Sequence, residues 1–324
     1  KAGAVIAGWT HNEAAYISCG CAAGMVLSTA ACIAGVDPEK RARLPFTEGM
    51  KNEIIVQRSS KVGYAFAIRQ AGGKMVEIGS EQGATVEELE AAISPNTAAV
   101  FVFYQTVRVH TGSGPGEIPL EQQIAIAHRH GVPLIVDAAA QLPPVENLWN
   151  FTHMGADLAL FSGGKGLCGP QSSGLILGRK DLIEACAFNA CPRGFIGRPM
   201  KVGKEEIAGL LTALRLYLDT DHSRLLQSYE ERVHVMLQAF AGQAAIALDN
   251  TLLFENLQRA NMDLSLAYDA TIEGWSRALD LRDHETEGHT LRVTDLTLKL
   301  ARAMQVSESQ LTAIRRGALL HDIG

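Results

Sequence analysis

The sequence lacks the features that mark membrane, secreted and polyanion-binding proteins. No apolar run reaches the roughly 20 residues that a membrane-spanning helix needs. Its 6 cysteines are irregularly spaced and no signal-peptide pattern accompanies them, which favours a reducing cytoplasm over a disulfide framework. A net charge of −6 offers no general surface for nucleic acid. We therefore predict a cytoplasmic protein without a membrane or nucleic-acid partner, and 324 residues suffice for one to three domains.

One stretch combines a buried-strand pattern with a glycine-rich turn that presents a lysine. Its sequence is Leu158-Ala-Leu-Phe-Ser-Gly-Gly-Lys165-Gly-Leu-Cys-Gly-Pro170. An apolar strand that feeds such a turn places polar residues at the carboxyl end of a sheet, where open α/β proteins bind ligands. Lys165 could contact a phosphate, but Gly166 follows it where a P-loop has Ser or Thr. A Schiff-base lysine for pyridoxal phosphate and a solvated loop lysine are the remaining interpretations.

A second buried-strand pattern ends in an acid. Its sequence is Pro133-Leu-Ile-Val-Asp137-Ala-Ala-Ala-Gln141. A carboxylate at a strand end can pair with the pyridine nitrogen of pyridoxal phosphate and keep it protonated, although a helix N-cap is the ordinary alternative. If the strand alternation continues, Ala139 points the same way as Asp137 and leaves room for a flat ring. The two stretches together favour the pyridoxal-phosphate interpretation.

These motifs carry a resemblance to a known family. The segments 136–144, 155–158, 161–174 and 197–206 resemble, in this order, those of selenocysteine-synthase-like proteins, which are related to L-seryl-tRNA(Sec) selenium transferase. The resemblance covers about residues 1–232. It implies a fold-type I, aminotransferase-like pyridoxal-phosphate enzyme, with Lys165 as the Schiff-base lysine and Asp137 holding the pyridinium. It also makes Gln141 and Ser162 candidate cofactor-binding residues.

A turn near the beginning of the chain is a candidate phosphate site. Small residues between a short strand, 14–18, and an apolar helix offer free N–H groups and a favourable dipole to an anion. In the family that this chain resembles, the turn holds the cofactor phosphate. The candidates are Ser18, Gly20, Cys21 and Ala22, and ordinary close packing of small residues is the alternative.

The remaining elements alternate between strand and helix patterns. Strands are predicted at 53–57, 74–78, 98–104 and 173–177, and helices at 64–71, 85–93, 120–130 and 204–218. Such alternation predicts an α/β fold with a mostly parallel sheet covered on both faces. In the family that this chain resembles, a side chain that follows the 98–104 strand stacks on the cofactor ring. Tyr104 and His110 are the two candidates, and ordinary core or loop positions are the alternative for both. Arg193 and Arg198 could hold a substrate carboxylate or phosphate, or could be surface residues.

The character of the sequence changes after about residue 233. Segment 240–258 is amphipathic and resembles the last helix of a GAF sensory domain. Glu285 and His289 are spaced to share a helix face, and His321 and Asp322 are adjacent. Together these four resemble the beginning of an HD-GYP domain, a metal phosphodiesterase of cyclic di-GMP, and could bind a divalent metal such as iron or manganese.

The predicted organisation is therefore an aminotransferase-like large domain followed by an all-α segment. We assign 1–232 to the pyridoxal-phosphate domain, 233–264 to a GAF-terminal signalling helix and 265–324 to a partial HD-GYP domain. We expect both ends to be cut and the two pieces to be joined near residues 230–238. Because neither piece is complete, a gene-model or assembly artefact, or a frameshifted fusion, is favoured over a genuine enzyme–sensor fusion. The expected function is that of a homo-oligomeric lyase or transferase acting on an amino acid or amino-sugar acid, by aldimine formation and β-elimination. A signalling protein with an incomplete phosphodiesterase module is the alternative.

Overall fold

The computed structural model describes residues 1–104, 116–282 and 288–321, with side chains given up to 278 in the second range. Two compact units divide between Gln227 and Ser228. The first unit is built on a sheet of strands β1 to β7. Their bounds are Ala14–Ser18, Glu53–Gln57, Lys74–Ile78, Thr97–Phe103, Leu134–Asp137, Leu158–Ser162 and Gly174–Gly178. The order across the sheet is β1-β7-β6-β5-β4-β2-β3.

The sheet is mostly parallel, as the alternating sequence pattern predicts. Strands β3, β2, β4, β5 and β6 pair in parallel, whereas β7 lies antiparallel between β6 and β1. Strands β1 and β6 therefore run in the same direction. Because all strands except β7 share one direction, their carboxyl ends meet at one edge of the sheet, and that edge carries the predicted site residues.

Helices cover both faces of this sheet. Those of the first unit are α1 to α9, with bounds Ala2–Trp9, Cys21–Ala34, Pro38–Arg43, Phe66–Gln70, Val86–Ala92, Leu120–Arg129, Asn147–His153, Lys180–Asn189 and Lys204–Leu218. One buried cluster includes residues of α1, α6, α7 and α9, and the other includes residues of α2, α4 and α8. The α/β architecture is therefore the predicted one. Helix α7 fills the short helix-and-loop connection expected between Asp137 and Lys165, while α1, α3 and α8 were not assigned helices in the sequence analysis.

Strand alternation decides which face each side chain of β5 joins. Val136 belongs to the core cluster on the α1 side, whereas Ile135 belongs to the cluster on the α2 side. By the same alternation Asp137, the last residue of β5, lies on the α2 side. The start of α2 therefore covers the carboxylate.

The second unit contains most of one long helix. Helix α10 spans His222–Arg282, and α11, His289–Ala303, and α12, Glu308–Leu319, follow. The predicted domain boundary at 264–265 falls within α10, which is longer than the predicted amphipathic segment. Ion pairs join α10 to α12, one between Asp269 and Arg316 at 2.8 Å and another between Glu273 and Arg315. Upstream of these pairs, large apolar side chains such as Phe240, Leu252 and Phe254 are more than half exposed.

Among the described residues, no helix combines the length and the apolar composition needed to cross a membrane.

We predict that limited proteolysis cleaves helix α10 at an earlier time than it cleaves the sheet-containing unit. An exposed helix depends on tertiary packing for most of its stability, so residues 228–264 should open locally more often than residues 50–215. Chymotrypsin with mass-spectrometric mapping of the first fragments measures this. Tyr64 and Phe66 serve as an internal control, because they are exposed to a similar extent within the packed unit. First cuts at these two residues, with 228–264 intact, would contradict the prediction.

Candidate active site

Three polar residues end three strands at the carboxyl edge of the sheet. Ser18 is the last residue of β1, Ser162 of β6 and Asp137 of β5. Ser18 and Ser162 both pair with Gly174, the first residue of β7, and Asp137 pairs with Leu160 of β6. The fold thus brings these three predicted site residues to the same edge of the sheet, with Ser18 and Ser162 level with each other and Asp137 beside Leu160.

Asp137 is the central acid of this edge. Its side chain is buried, and Oδ1 accepts hydrogen bonds from the Ala139 backbone N–H at 3.0 Å and from the Cys21 thiol at 3.5 Å. Within the described part of the chain, Oδ2 forms no hydrogen bond. One carboxylate oxygen is therefore fixed by the protein while the other stays available to a ligand.

The protonation equilibria of Asp137 and Cys21 are linked. Burial raises the pKa of Asp137, and the Ala139 N–H, the Cys21 thiol and the charge of Lys165 oppose that rise. Burial also raises the pKa of Cys21 well above its ordinary value, and the charge of Asp137 raises it further. A helix N-terminus usually favours a thiolate, but here burial and the adjacent acid outweigh that effect, so Cys21 remains a thiol.

Lys165 lies in the loop between β6 and β7. Backbone hydrogen bonds hold this loop in shape: the Gly163 N–H donates to the Ser173 carbonyl at 2.9 Å, and the Cys168 N–H donates to the Lys165 carbonyl at 2.8 Å. The lysine side chain is exposed and, within the described residues, forms no ion pair or hydrogen bond. Its positive charge nonetheless lowers the pKa values of Asp137 and Cys21, so the ammonium group acts on the buried acid.

The predicted phosphate turn forms the N-terminus of α2. Gly20 caps the helix with a φ of 142°, a value that residues with a side chain rarely adopt, and Cys21 and Ala22 begin the helix. A Cβ on Gly174 would lie 2.6 Å from the Gly20 carbonyl carbon and 2.8 Å from the Cys21 nitrogen. The absence of a side chain at 174 therefore lets this turn approach β7.

Ser18 uses its hydroxyl within the turn. It is fully buried, and its Oγ donates to the Gly20 carbonyl at 2.8 Å. The first-turn N–H groups of α2 have no partners in their own helix, as at every helix N-terminus. If an anion binds here, backbone N–H groups are therefore better placed to donate than the Ser18 hydroxyl, which would first have to turn away from Gly20.

Ala139 and Gln141 lie in the turn after β5. Because the strand ends at Asp137, the strand alternation expected to orient Ala139 does not extend to it, and its observed contact is the N–H bond to Asp137. Gln141 is buried and donates through Nε2 to the Tyr104 carbonyl at 2.8 Å. Within the described residues its Oε1 has no donor. This turn therefore presents a buried acceptor close to the Asp137 strand end.

The candidates for stacking on the cofactor ring and for binding an acidic substrate group are a tyrosine, a histidine and two arginines. Tyr104 is half-buried and meets the Phe151 ring edge-on, with ring centroids 4.8 Å apart. His110 lies outside the described residues. Arg193 and Arg198 are exposed, and their guanidinium groups donate to the Ala187 carbonyl and the Cys191 sulfur, respectively.

The C-terminal metal set is only partly within the described residues. His289 begins α11 and His321 follows α12, with ring centroids 6.0 Å apart. Glu285 and Asp322 lie outside the described residues. Where the structure describes side chains, it contains no group of three or more His, Cys, Asp or Glu that could hold a metal. The predicted metal site therefore stays a prediction.

A cavity of about 610 Å³ lies elsewhere on the first unit, beside β1. Tyr16, Cys191 and Lys201 contribute to its lining, but Ser18, Cys21, Asp137 and Lys165 do not. The polar edge of the sheet, with its buried acid and nearby lysine, is the better candidate for chemistry because it combines groups that change charge.

Comparison with known proteins relates this chain to one family. A family model described as L-seryl-tRNA selenium transferase matches residues 47–229. A 5'-C-glycyluridine monooxygenase-decarboxylase of Streptomyces sp is 40% identical over 67% of this chain and 53% of its own length. D-glucosaminate-6-phosphate ammonia lyase of Salmonella typhimurium is 38% identical over 67% of this chain and 57% of its own length. A solved structure of D-glucosaminate-6-phosphate ammonia-lyase is similar with a TM-score of 0.61 and 35% identity, over 68% of this chain and 57% of that one.

These matches confirm the predicted family resemblance and the aminotransferase-like α/β fold of the N-terminal part. The chain spans about half the length of the curated relatives it matches. The family model alone matches more than half of the chain. The chain therefore belongs to the L-seryl-tRNA selenium transferase family.

Proposed function

We propose that this chain binds pyridoxal 5'-phosphate at the carboxyl edge of its sheet and acts as a lyase or transferase on an amino acid or amino-sugar acid. The observation that carries the proposal is the position of two residues at one edge of the sheet. Asp137, a buried acid, ends β5, and Lys165 lies in the loop after the adjacent strand β6, from which its charge acts on the acid. Family membership supports the same cofactor. The relatives' names include a lyase and a decarboxylase, so the proposal covers a class of reactions rather than one substrate.

The polar groups at this edge fit the cofactor. Asp137 Oδ2 is free of hydrogen bonds within the described residues and would hold the pyridine nitrogen. Gln141 Oε1 is a buried acceptor that needs a donor. The N–H groups at the start of α2 would hold the phosphate, in the manner of other helix N-termini. Ser162, at the end of β6, and Ala139, in the turn after β5, complete the proposed set.

Bound pyridoxal phosphate supplies an electron sink that stabilises negative charge at the substrate carbon next to the amino group. Asp137 would hold the ring nitrogen and keep it protonated. Lys165 Nζ would hold the cofactor in the resting protein and would otherwise serve as the base that accepts the proton of the substrate Cα. Arg193 and Arg198 are proposed to contact an acidic group of the substrate.

The proposal assigns the activity to the first unit. Homo-oligomerisation remains part of the prediction, as does the resemblance of the C-terminal segment to the end of a GAF domain and the start of an HD-GYP domain. Two of the four predicted metal ligands, His289 and His321, lie within the described residues, and their rings are close to each other. Where the structure describes side chains, His289 and His321 are not joined by a third metal-binding group, so we propose no phosphodiesterase activity for this chain.

Lys165→Ala should abolish covalent attachment of pyridoxal phosphate. The wild-type protein, incubated with the cofactor and reduced with borohydride, should carry it on the peptide that contains Lys165, because only an amine can be fixed in this way. Mass spectrometry of the digested protein measures the attachment. Lys180→Ala is the matched control, since Lys180 is also exposed and lies after the next strand. Equal labelling of the Lys165→Ala protein would exclude the assigned role.

Asp137→Asn should separate cofactor attachment from chemistry. The variant should still be labelled at Lys165, yet exchange the Cα proton of D-glucosaminate 6-phosphate or L-serine for deuterium more slowly by about 100-fold, the loss typical of removing one electrostatic stabiliser. Proton NMR in heavy water measures the exchange. An unchanged exchange rate would refute the role of Asp137.

The same variant should not destabilise the cofactor-free protein at neutral pH. Burial raises the pKa of Asp137 in the folded protein above its value in the unfolded chain. The free energy of unfolding therefore falls as pH rises from the unfolded-state pKa through the folded-state pKa, and at pH 7 the ionised carboxylate is a cost to the folded state. A neutral amide avoids that loss, and we expect an equal or higher Tm for cofactor-free Asp137→Asn at pH 7. A clearly lower Tm would mean that the ionised carboxylate stabilises the fold.

A further inference from the structure

The side chain of Cys21 contacts the acid of the proposed site rather than facing an anion. Cys21 is the first residue of α2, and its Sγ lies 3.5 Å from Asp137 Oδ1. Both side chains are buried, with exposed fractions of 8% each. A thiol against an ionised carboxylate must be the donor, because the carboxylate carries no proton.

This contact decides which carboxylate oxygen is available. Oδ1 already accepts from the Ala139 N–H at 3.0 Å, and the Cys21 thiol is its second donor. The two donors come from different segments, the turn after β5 and the start of α2, and so approach the same oxygen from separate parts of the chain. The carboxylate plane is thereby restrained while Oδ2 remains without a partner among the described residues.

We propose that Cys21 is a positioning residue: its thiol holds Asp137 Oδ1 so that Oδ2 is presented, ionised, to the pyridine nitrogen of the cofactor. This inference rests on the proposed function. It differs from the sequence-based expectation, in which residue 21 served the cofactor phosphate. Its backbone N–H can still take that part, because the two groups are separate.

The physical reason concerns one shared proton. An acid and a pyridine nitrogen in contact hold a single proton between them, and the stronger base takes it. Donation of a hydrogen bond to Oδ1 makes the carboxylate a weaker base, which leaves the proton on the ring nitrogen. Loss of the donor moves the proton toward Asp137 and leaves a neutral ring, which is a poorer electron sink.

The test compares Cys21→Ala with Cys21→Ser, two variants that differ by one hydroxyl donor. Each protein is loaded with pyridoxal phosphate labelled with ¹⁵N in the ring, and the nitrogen chemical shift at pH 7 reports the protonation of the ring. We expect the wild-type and Cys21→Ser signals at the pyridinium position and the Cys21→Ala signal displaced toward neutral pyridine. Binding of pyridoxal phosphate to Cys21→Ala should weaken about two- to tenfold, the net value of one hydrogen bond.

Cys186→Ala is the matched control for loss of a buried sulfur. Cys186 is fully buried in the same core cluster, and no hydrogen bond to Asp137 involves it. Its variant should keep the wild-type nitrogen signal. A wild-type signal and affinity in Cys21→Ala would overturn the proposal, and so would a Cys21→Ser protein that behaves as Cys21→Ala.

Failure of the proposed function itself is distinguishable, because the wild-type protein would then take up no pyridoxal phosphate. If Cys21→Ala does not fold, as judged by circular dichroism, a displaced signal in Cys21→Ser refutes the donor role and an unshifted one supports it.

Discussion

The cost of burying the Asp137 carboxylate is the constraint on which the candidate site depends. An ionised acid removed from water is destabilising unless hydrogen bonds and opposite charge compensate it. Three separate segments provide that compensation: the turn after β5 through the Ala139 N–H, the start of α2 through the Cys21 thiol, and the loop after β6 through Lys165. The positions of these segments are therefore linked through one carboxylate.

The sheet supplies the framework that makes this compensation possible. Its parallel strands end at one edge, and the antiparallel β7 returns between β1 and β6 so that Ser18 and Ser162 flank Gly174. Because position 174 has no side chain, the turn into α2 can lie directly against the sheet. The same close approach that packs α2 on the sheet places Cys21 over Asp137. Packing and electrostatics at this edge are consequently inseparable, and a larger residue at 174 would disturb both.

Local patterns were sufficient to predict most strands and the edge residues, whereas contacts between distant segments were not. The apolar runs that end at Asp137 and Ser162 are strong strand signals. The helix predicted at 85–93 is observed as α5, and a capping box formed by Thr85 and Glu88 begins it. The Cys21–Asp137 contact joins residues 116 positions apart, and nothing in either segment alone specifies it. Helix α8 was missed because its polar and apolar residues lack a pronounced stripe, and the orientation expected for Ala139 assumed a strand longer than β5.

The central claim is that the carboxyl edge of the sheet holds pyridoxal phosphate between Lys165 and Asp137. A crystal structure of the protein grown with pyridoxal phosphate tests this most directly. The account predicts electron density continuous from Lys165 Nζ to the cofactor, with the ring nitrogen within hydrogen-bond distance of Asp137 Oδ2 and the phosphate at the N-terminus of α2. Cofactor bound through a different lysine, or with its ring nitrogen away from Asp137, would contradict it.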